Sequence, residues 1–258
     1  MLDLHIHPVI WGVHPVLLKI GNLYIPSYGV MIVIALFIGM AWYFYEVHSS
    51  QIESEDNVIY IAIAALVGGA IGAKILVFVF NINIFSMKSL DVSAFLSGRT
   101  IVGGLIGGIL AVILTKKYLK IKIKKGNLFA PAIALGLAIG RIGCFLQGCC
   151  YGIATSLPWG VNFGDGILRH PTQLYESLFA LLMFFYLLYC KKHKPAPGQL
   201  FRMFITNYFI FRFLIEYIRV EPKIYMGLSI YQIFSIIVII YQFRHKLFVL
   251  NFYKRTIV

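Results

Sequence analysis

Charged residues are scarce in this sequence. Asp, Glu, Lys and Arg make up 13% of its 258 residues, whereas 60% of the residues are hydrophobic. The mean hydropathy is +0.83. Soluble globular chains carry about 25% charged residues, so this scarcity excludes an ordinary water-soluble domain. We therefore expect the lipid bilayer to be the solvent for most of the chain.

Acidic residues are the rarer of the two charge types. The chain has 10 Asp and Glu against 23 Lys and Arg, which gives a net charge of +13. A basic balance suits nucleic acid or anionic lipid, and in so apolar a chain we expect the basic residues to face lipid headgroups. The prediction is therefore membrane lipid as a partner, and no nucleic acid.

Cysteine and histidine are too few and too scattered to predict a metal or a cofactor. The cysteines have neither the paired spacings of a zinc site nor the density of a disulfide scaffold. They are Cys144, Cys149, Cys150 and Cys190. His170 lacks a second His or Cys at ligand spacing. The adjacent Cys149 and Cys150 leave two interpretations open, reactive thiols or small apolar fillers at a helix end.

Seven stretches are candidates for membrane helices, which need about 20 residues to cross. They run from Tyr28 to Tyr45, Val58 to Phe80, Ile101 to Leu114, Leu128 to Phe145, Thr172 to Cys190, Leu200 to Ile218, and Ser229 to Tyr241. The preceding segment, Val16 to Ser27, alternates in part and is typical of an interfacial segment. We predict an all-α integral membrane protein with about seven transmembrane helices in one domain, residues 1–258. Six crossings stay open, because two stretches are short or interrupted.

Lysine-rich loops predict the orientation. Six lysines between Lys116 and Lys125 follow the third stretch, and three more between Lys191 and Lys194 follow the fifth. Short loops rich in Lys stay in the cytoplasm. With seven crossings, the N-terminus is then outside and the C-terminus is cytoplasmic. Residues 146–171 are predicted to form a loop at the outer face.

Ionisable residues inside these stretches are the candidates for function. On the sixth stretch, Tyr208, Arg212, Glu216 and Arg219 follow one another at helical spacing and form one stripe. Such a stripe cannot face lipid tails. One interpretation is a salt-bridge ladder that locks helices together, and the other is a binding site. The sequence leaves both open.

Two further groups lie at the outer ends of neighbouring stretches. Arg141 has no acidic residue within one helical turn, so we expect it to bind an anion such as phosphate. His170, Gln173 and Glu176 open the fifth stretch. We predict that these residues meet the stripe of the sixth stretch at one level of the membrane.

Glycines give a weaker signal. Gly103 and Gly104, in the third stretch, either let two helices pack closely or leave room for a ligand. Gly152 lies in a glycine-rich loop after the fourth stretch. That loop is either a docking loop or an inert connector.

Ordered blocks over nearly the whole chain resemble the prolipoprotein diacylglyceryl transferases. The blocks are His14-Pro15-Val16 leading to Ser27-Tyr28-Gly29, then Gly103-Gly104-Leu105-Ile106-Gly107, Gly140-Arg141-Ile142-Gly143 with Phe145, Gly148 and Gly152, His170-Pro171-Thr172-Gln173-Leu174-Tyr175-Glu176, and Tyr208 with Arg212-Phe213, Glu216 and Arg219. The run from His170 to Glu176 is the most specific of them.

The resemblance implies a multi-pass enzyme of the bacterial inner membrane. Such enzymes move diacylglycerol from phosphatidylglycerol to the cysteine thiol of a prolipoprotein, in its signal peptide region. The family's functional residues carry over at Tyr28, Arg141, Gly152, Glu176, Tyr208 and Arg212. Together with the residues singled out above, the expected catalytic residues are Arg141, Arg212, Glu176 and His170. The expected substrate-binding residues are Tyr28, Tyr208, Gly103, Gly104, Gly152, Gln173, Glu216 and Arg219. Arg141 and Arg212 would hold the phosphate.

The sequence departs from the family pattern at several positions. Val102 stands where the best-known members have His, and Cys144 stands where they have Asn. Gln147 and Cys149 replace Asn and Glu. These changes remove a candidate general base, so that role would fall to Glu176 or His170.

Two other functions stay open. The first is a lipid transferase with a different acceptor, in which Cys149 or Cys150 forms a covalent intermediate. The second is an anion carrier with the arginines as its binding ring. The charged set lies near one face, and no interrupted helices recur in two matching halves, so the sequence favours a transferase over a carrier.

The orientation makes a direct prediction. Single cysteines introduced between Gly152 and Arg169, in a cysteine-free background, should react with an impermeant thiol reagent added outside. Cysteines introduced between Lys116 and Lys125 should react after the membrane is opened, because the lysine-rich loop stays inside. Labelling of the 152–169 loop from the cytoplasmic side would overturn both the orientation and the expected outer-face site.

Overall fold

A computed structural model of the chain describes residues 12–21, 23–49, 55–81, 101–121, 126–223 and 225–255. Its α-helices are α1 (Ser27–Ser49), α2 (Glu55–Asn81), α3 (Ile101–Tyr118), α4 (Gly126–Gln147), α5 (Thr172–Lys191), α6 (Gln199–Ile215) and α7 (Ile230–Arg255). Each coincides with one of the seven apolar stretches, so the prediction of a mostly helical chain is confirmed. The sixth stretch ends differently from the prediction, because α6 passes into a 3-10 turn at Glu216–Ile218.

Two short β-hairpins interrupt the helices. The strands β1 (Val16–Ile20) and β2 (Leu23–Pro26) pair antiparallel directly before α1. The segment predicted to be interfacial is thus a hairpin, in which strand pairing satisfies the backbone groups. In the 146–171 loop, β3 (Val161–Asn162) pairs with β4 (Leu168–Arg169).

Three helices of the described residues are long and apolar enough to cross a membrane, namely α1, α4 and α5. Their outer surfaces are apolar: Phe37 on α1 is 74% exposed and Leu182 on α5 is 60% exposed. Arg141 and Glu176, on α4 and α5, are by contrast buried. Apolar side chains outside and charged side chains inside suit a lipid solvent.

The chain divides into two compact units. One contains residues 1–7 and 44–123, and the other contains residues 8–43 and 124–258. The single domain predicted for residues 1–258 stays a prediction.

Close glycine contacts join α2 to α3 in the first unit. A Cβ atom on Gly107 would collide with the backbone oxygen of Gly68 and would lie 2.7 Å from the Cα of Gly72. Gly104 is less crowded, since its nearest neighbour would be the oxygen of Gly69 at 3.5 Å. Small residues at this spacing let two helix backbones touch. These contacts support the packing interpretation for the glycines of α3.

Aromatic and polar contacts hold the second unit together. Phe179 of α5 stacks on Phe211 of α6, with ring centroids 4.1 Å apart. Ser177 of α5 donates a hydrogen bond of 2.7 Å to the backbone oxygen of Ala138 in α4. The C-terminal ends of α4 and α6 and the N-terminal end of α5 are thereby held side by side, which positions the charged residues at those ends.

We expect Gly107→Ala to weaken the α2–α3 pair. The added methyl group has no space, and overpacking of this kind costs about 1–3 kcal/mol. Thermal unfolding of the protein in detergent should therefore begin at a lower temperature than in the wild type. Gly104→Ala is the matched control and should unfold near the wild-type temperature. Equal melting of Gly107→Ala and wild type would refute the tight α2–α3 contact.

Candidate functional site

The centre of the site is the carboxylate of Glu176, in the second turn of α5, which is 1% exposed. Arg141 of α4 places Nη2 2.5 Å from Oε2. The Nη1 atoms of Arg212 and Arg219 lie 3.2 and 3.1 Å from Oε1. One buried carboxylate therefore joins α4, α5, α6 and the segment after the 3-10 turn.

Arg141 differs from the expectation drawn from its sequence neighbours. The expectation that it lacks an acidic partner is wrong, because Glu176 on the next helix supplies one. The two groups form an ion pair without an aligned hydrogen bond, since Oε2 of Glu176 has no hydrogen-bond donor among the described residues. The Nε atom of Arg141 is also buried without a hydrogen-bond partner there. Arg141 thus keeps an unused donor inside the protein.

Glu216 is the second buried carboxylate. Its Oε2 atom lies 3.1 Å from Nη2 of Arg212 and 3.6 Å from Nε of Arg219. Ser229, just before α7, donates a hydrogen bond of 3.1 Å to its Oε1 atom. The salt-bridge ladder that the sequence left open is therefore present, and it ties the end of α6 to the start of α7.

A third carboxylate lies at the edge of the cluster. Glu221, which is half-buried, pairs with Arg219 at 3.1 Å. The guanidinium groups of Arg141, Arg212 and Arg219 thus face three carboxylates. Lys223 is exposed and donates to the backbone oxygen of Glu216. Three guanidinium groups that converge in a buried place, one of which keeps an Nε donor without a partner among the described residues, suit an anionic ligand.

Aromatic side chains surround the arginines. The guanidinium group of Arg212 lies 4.7 Å from the ring centroid of Tyr231 in α7. Tyr208 lies one turn before Arg212 on α6, is 2% exposed, and stacks on Phe204. Tyr28, at the start of α1, lies against Gly143 of α4, where a Cβ atom would come within 3.5 Å of the Cα of Tyr28. Tyr208 thus lies on the helix that carries Arg212, and Tyr28 lies beside the helix that carries Arg141.

Gln173 is fully buried one turn before Glu176. Its Nε2 atom donates a hydrogen bond of 2.6 Å to the backbone oxygen of Cys149. Its Oε1 atom is buried without a hydrogen-bond partner among the described residues. Gln173 therefore offers an unused acceptor on the same helix as the central carboxylate.

The two residues predicted to act as a base have different surroundings. Both carboxylate oxygens of Glu176 are already engaged by guanidinium groups. The Nδ1 atom of His170 lies 3.3 Å from the hydroxyl of Tyr175. That hydroxyl also accepts a hydrogen bond of 2.7 Å from Nε1 of Trp159. Glu176 thus belongs to the ion cluster, whereas the ring of His170 contacts Tyr175 in the first turn of α5, which in turn contacts Trp159 of the 146–171 loop.

Gly152 has a structural reason to be glycine. A Cβ atom there would lie 2.6 Å from the backbone oxygen of Ile218 and 2.7 Å from the Cβ of His170. Gly152 forms a β-bridge with Arg219 and donates a backbone hydrogen bond to His170. This close approach joins the loop to the end of α6 and so favours a positioned loop over an inert connector. Gly103 and Gly104 belong to the α2–α3 unit, and their predicted role with substrate stays a prediction.

A group of three thiols escaped the sequence analysis. The Sγ atoms of Cys144, Cys149 and Cys150 all lie within 4.8 Å of one another. The first is buried at the end of α4, and the others are half-buried in the loop that follows. Nη1 of Arg141 lies 3.8 Å from the sulfur of Cys144. A tight turn after a helix was the signal that could have suggested this grouping, because it folds the next residues back onto the last helical turn.

The thiols of the loop are electrostatically unequal. Hydrogen bonds with Cys144 and Cys149, together with the nearby charges of Arg219 and Arg141, lower the pKa of Cys150 well below its ordinary value. Hydrogen bonds with the other two thiols raise the pKa of Cys149. The two loop thiols thus differ in how readily each loses its proton.

Sequence comparisons connect this arrangement with known proteins. The model of the prolipoprotein diacylglyceryl transferase family matches residues 15–245. A phosphatidylglycerol–prolipoprotein diacylglyceryl transferase of Clostridium tetani is 36% identical over 225 residues, which cover 81% of this chain and 86% of that protein. A protein of the same name from Dehalococcoides mccartyi is 33% identical over 88% of this chain and 90% of its own length. A third, from Clostridioides difficile, is 40% identical over 72% of this chain and 75% of its own length.

The buried ion cluster predicts an unequal response to two substitutions. Glu176→Gln should destabilise the folded protein by about 3–5 kcal/mol, because it leaves three buried guanidinium groups with one carboxylate fewer. Asp165→Asn is the control, since it removes the partially exposed pair with Arg169 in the outer loop and should change stability little. Thermal unfolding in detergent measures both. An equal loss of stability in Glu176→Gln and Asp165→Asn would show that Glu176 does not hold the helices together.

Proposed function

Because this chain belongs to the prolipoprotein diacylglyceryl transferase family, we propose that it transfers the diacylglyceryl group of phosphatidylglycerol to the cysteine thiol of a prolipoprotein. The observation that carries the proposal is the buried cluster of Arg141, Arg212 and Arg219, in which Nε of Arg141 has no hydrogen-bond partner among the described residues. The phosphodiester of phosphatidylglycerol carries one negative charge and is a ligand for guanidinium groups.

The lipid headgroup also matches the unused polar atoms. Nε of Arg141 is a buried donor, and a phosphate oxygen accepts from guanidinium. Oε1 of Gln173 is a buried acceptor, and the headgroup glycerol has hydroxyl donors. Tyr28 and Tyr208 would orient the headgroup beside them. Lipid binding would therefore satisfy groups that cost free energy while they stay unpaired in a buried site.

The reaction needs charge stabilisation at the phosphate. When the thiol sulfur attacks the glyceryl carbon, the carbon–oxygen bond to phosphate breaks and glycerol phosphate leaves with the bonding electrons. Negative charge grows on the leaving oxygen, and Arg141 and Arg212 are the guanidinium groups proposed to stabilise it. Glu176 then serves as a positioning residue, because three guanidinium groups lie against its two carboxylate oxygens.

We place this chemistry at the outer face of a bacterial inner membrane. In this arrangement all seven helices cross, the N-terminus lies outside, and the C-terminus lies in the cytoplasm, as the lysine-rich loops predict. Lipid enters from the outer leaflet, and the signal peptide region of the prolipoprotein approaches the loop of residues 146–171. The hairpin and the β-bridge at Gly152 support a docking role for that loop.

The direct test is incubation of the purified protein with phosphatidylglycerol and a prolipoprotein peptide that contains one cysteine. Mass spectrometry should show the gain of one diacylglyceryl group on the peptide. A matching peptide with serine in place of the cysteine is the control and should gain nothing. A lipid product on another acceptor, with none on the peptide, would favour the transferase with a different acceptor. Transport of an anionic solute without any lipid product would favour a carrier.

Arginine substitutions test the proposed phosphate site. Arg141→Ala and Arg212→Ala should each abolish transfer, because each removes charge-assisted contacts worth about 1.5–3 kcal/mol and a contact to the leaving group. Lys at either position should restore part of the rate, since a point charge cannot make bidentate contacts. Arg202→Ala, in an exposed part of α6, is the matched control and should retain the rate. The measurement is the initial rate of transfer by variants that insert normally into the membrane. Full activity of Arg141→Ala would contradict the proposed role.

A further inference from the structure

We propose that Cys144, Cys149 and Cys150 hold one thiophilic metal ion, with Zn²⁺ as the fitting ion, and that its fourth position takes the acceptor thiol. The metal site stands on its own geometry, whereas the role of the fourth position rests on the proposed transferase function. The three sulfur atoms lie within 4.8 Å of one another. Zinc bound at about 2.3 Å by tetrahedral thiolates needs sulfurs about 3.8 Å apart. The sulfur–sulfur distances therefore exceed that spacing by about 1 Å at most.

The loop that carries two of the sulfurs is held firmly in place. The backbone oxygen of Cys150 accepts hydrogen bonds of 2.6 Å from Thr172 and 3.1 Å from Arg219. The backbone oxygen of Cys149 accepts a hydrogen bond from Gln173. Donors from α5 and from the end of α6 therefore fix both loop cysteines before any ligand binds, which is the support that a metal site needs.

The backbone itself adopts an unfavourable conformation to bring the thiols together. Cys150 has a φ of 62°, in the left-handed region that non-glycine residues seldom adopt. Gly148, two residues before, has a φ of 74°. These two left-handed residues fold the chain back after α4, so that Cys149 and Cys150 face the last helical turn with Cys144. Strain of this kind persists where the surrounding contacts require it, as in binding sites.

The charge around the thiols suits a metal complex. Three thiolates and one divalent ion carry a net charge of −1. Nη1 of Arg141 lies 3.8 Å from the sulfur of Cys144, and Arg219 contacts the backbone of Cys150. These buried guanidinium groups lie beside the thiol loop, where their positive charge favours thiolates. The grouping is a Cys₃ set with one position left, which is the composition of an open zinc site.

An open position would solve the problem of the acceptor proton. Both oxygens of Glu176 face guanidinium groups, so an acceptor thiol would have to displace an arginine to reach either one. A thiol that coordinates zinc loses its proton, here to water, without a protein base. Its sulfur then donates an electron pair to the glyceryl carbon, and the electrons of the carbon–oxygen bond leave with glycerol phosphate. The ion stays divalent throughout, since zinc has no redox chemistry.

The test measures zinc on the full-length protein in detergent micelles. The protein is stripped with a chelator, loaded with Zn²⁺ and dialysed, and the metal content and zinc X-ray absorption are recorded. We expect one ion per chain with three sulfur ligands at about 2.3 Å. Cys144→Ser, Cys149→Ser and Cys150→Ser should each lower the affinity about 100-fold or more, because each removes a direct ligand. Cys190→Ser is the matched control, since Cys190 lies in the last turn of α5, and it should bind as tightly as wild type.

Several results would overturn the site. They are a stripped protein that takes up no zinc, fewer than three sulfur ligands, and equal zinc binding in Cys144→Ser and Cys190→Ser. Thermal unfolding without metal identifies a variant that has lost its fold. If a variant has lost its fold, the wild-type protein is tested instead, by alkylation of its thiols with and without zinc. Zinc should protect Cys144, Cys149 and Cys150 together, while Cys190 reacts at an unchanged rate.

The acceptor role is tested separately from the transferase function. A cysteine-containing acceptor peptide should add a fourth sulfur to the zinc absorption spectrum, and the serine peptide should not. Removal of the metal should stop transfer, and added Zn²⁺ should restore it. Full transfer by metal-free protein would overturn the acceptor role, and a diacylglyceryl adduct on Cys149 or Cys150 would replace it with a nucleophile. Zinc binding without transfer under any condition would refute the transferase function and leave the metal site intact.

Discussion

The ion pairs around Glu176 are the interaction on which the rest of the second unit depends. A carboxylate that is 1% exposed is stable in an apolar bundle because three guanidinium groups approach it from α4, α6 and the segment after α6. Removal of the carboxylate, or of the guanidinium groups, would leave buried charge without compensation, at a cost of several kcal/mol. These helix ends are therefore bound to one another by charge. Apolar contacts, such as the stacking of Phe179 on Phe211, hold α5 and α6 together as well.

This arrangement unites two interpretations that the sequence presented as alternatives. The ladder of Arg212, Glu216 and Arg219 does lock α6 to the start of α7, through Ser229. The ion cluster is nevertheless incomplete as a purely structural device, because Nε of Arg141 has no hydrogen-bond partner among the described residues. The proposed binding of an anionic phospholipid would use this donor.

The outer loop is a part of this network. Arg219 contacts Glu176 and also the backbone oxygen of Cys150, and Gln173 contacts the backbone oxygen of Cys149. Residues that hold the ion cluster thus also hold the two loop cysteines against Cys144. A change in the position of Arg219 would therefore affect both the ion cluster and the loop that carries Cys150.

Hydropathy and charge spacing in the sequence were enough to predict the positions of the helices and the stripe on α6. They also predicted that charged residues of neighbouring helices meet. Helical periodicity and burial are local properties, so they can be read from neighbouring residues. The pairing of Arg141 with Glu176 was beyond that reasoning, because the partner lies on another helix. The thiol group was missed for the same reason, since its formation depends on left-handed backbone at Gly148 and Cys150 that contacts from Thr172 and Arg219 impose. Tertiary structure decided which buried charges neutralise one another, because the distances that set those energies are distances between helices.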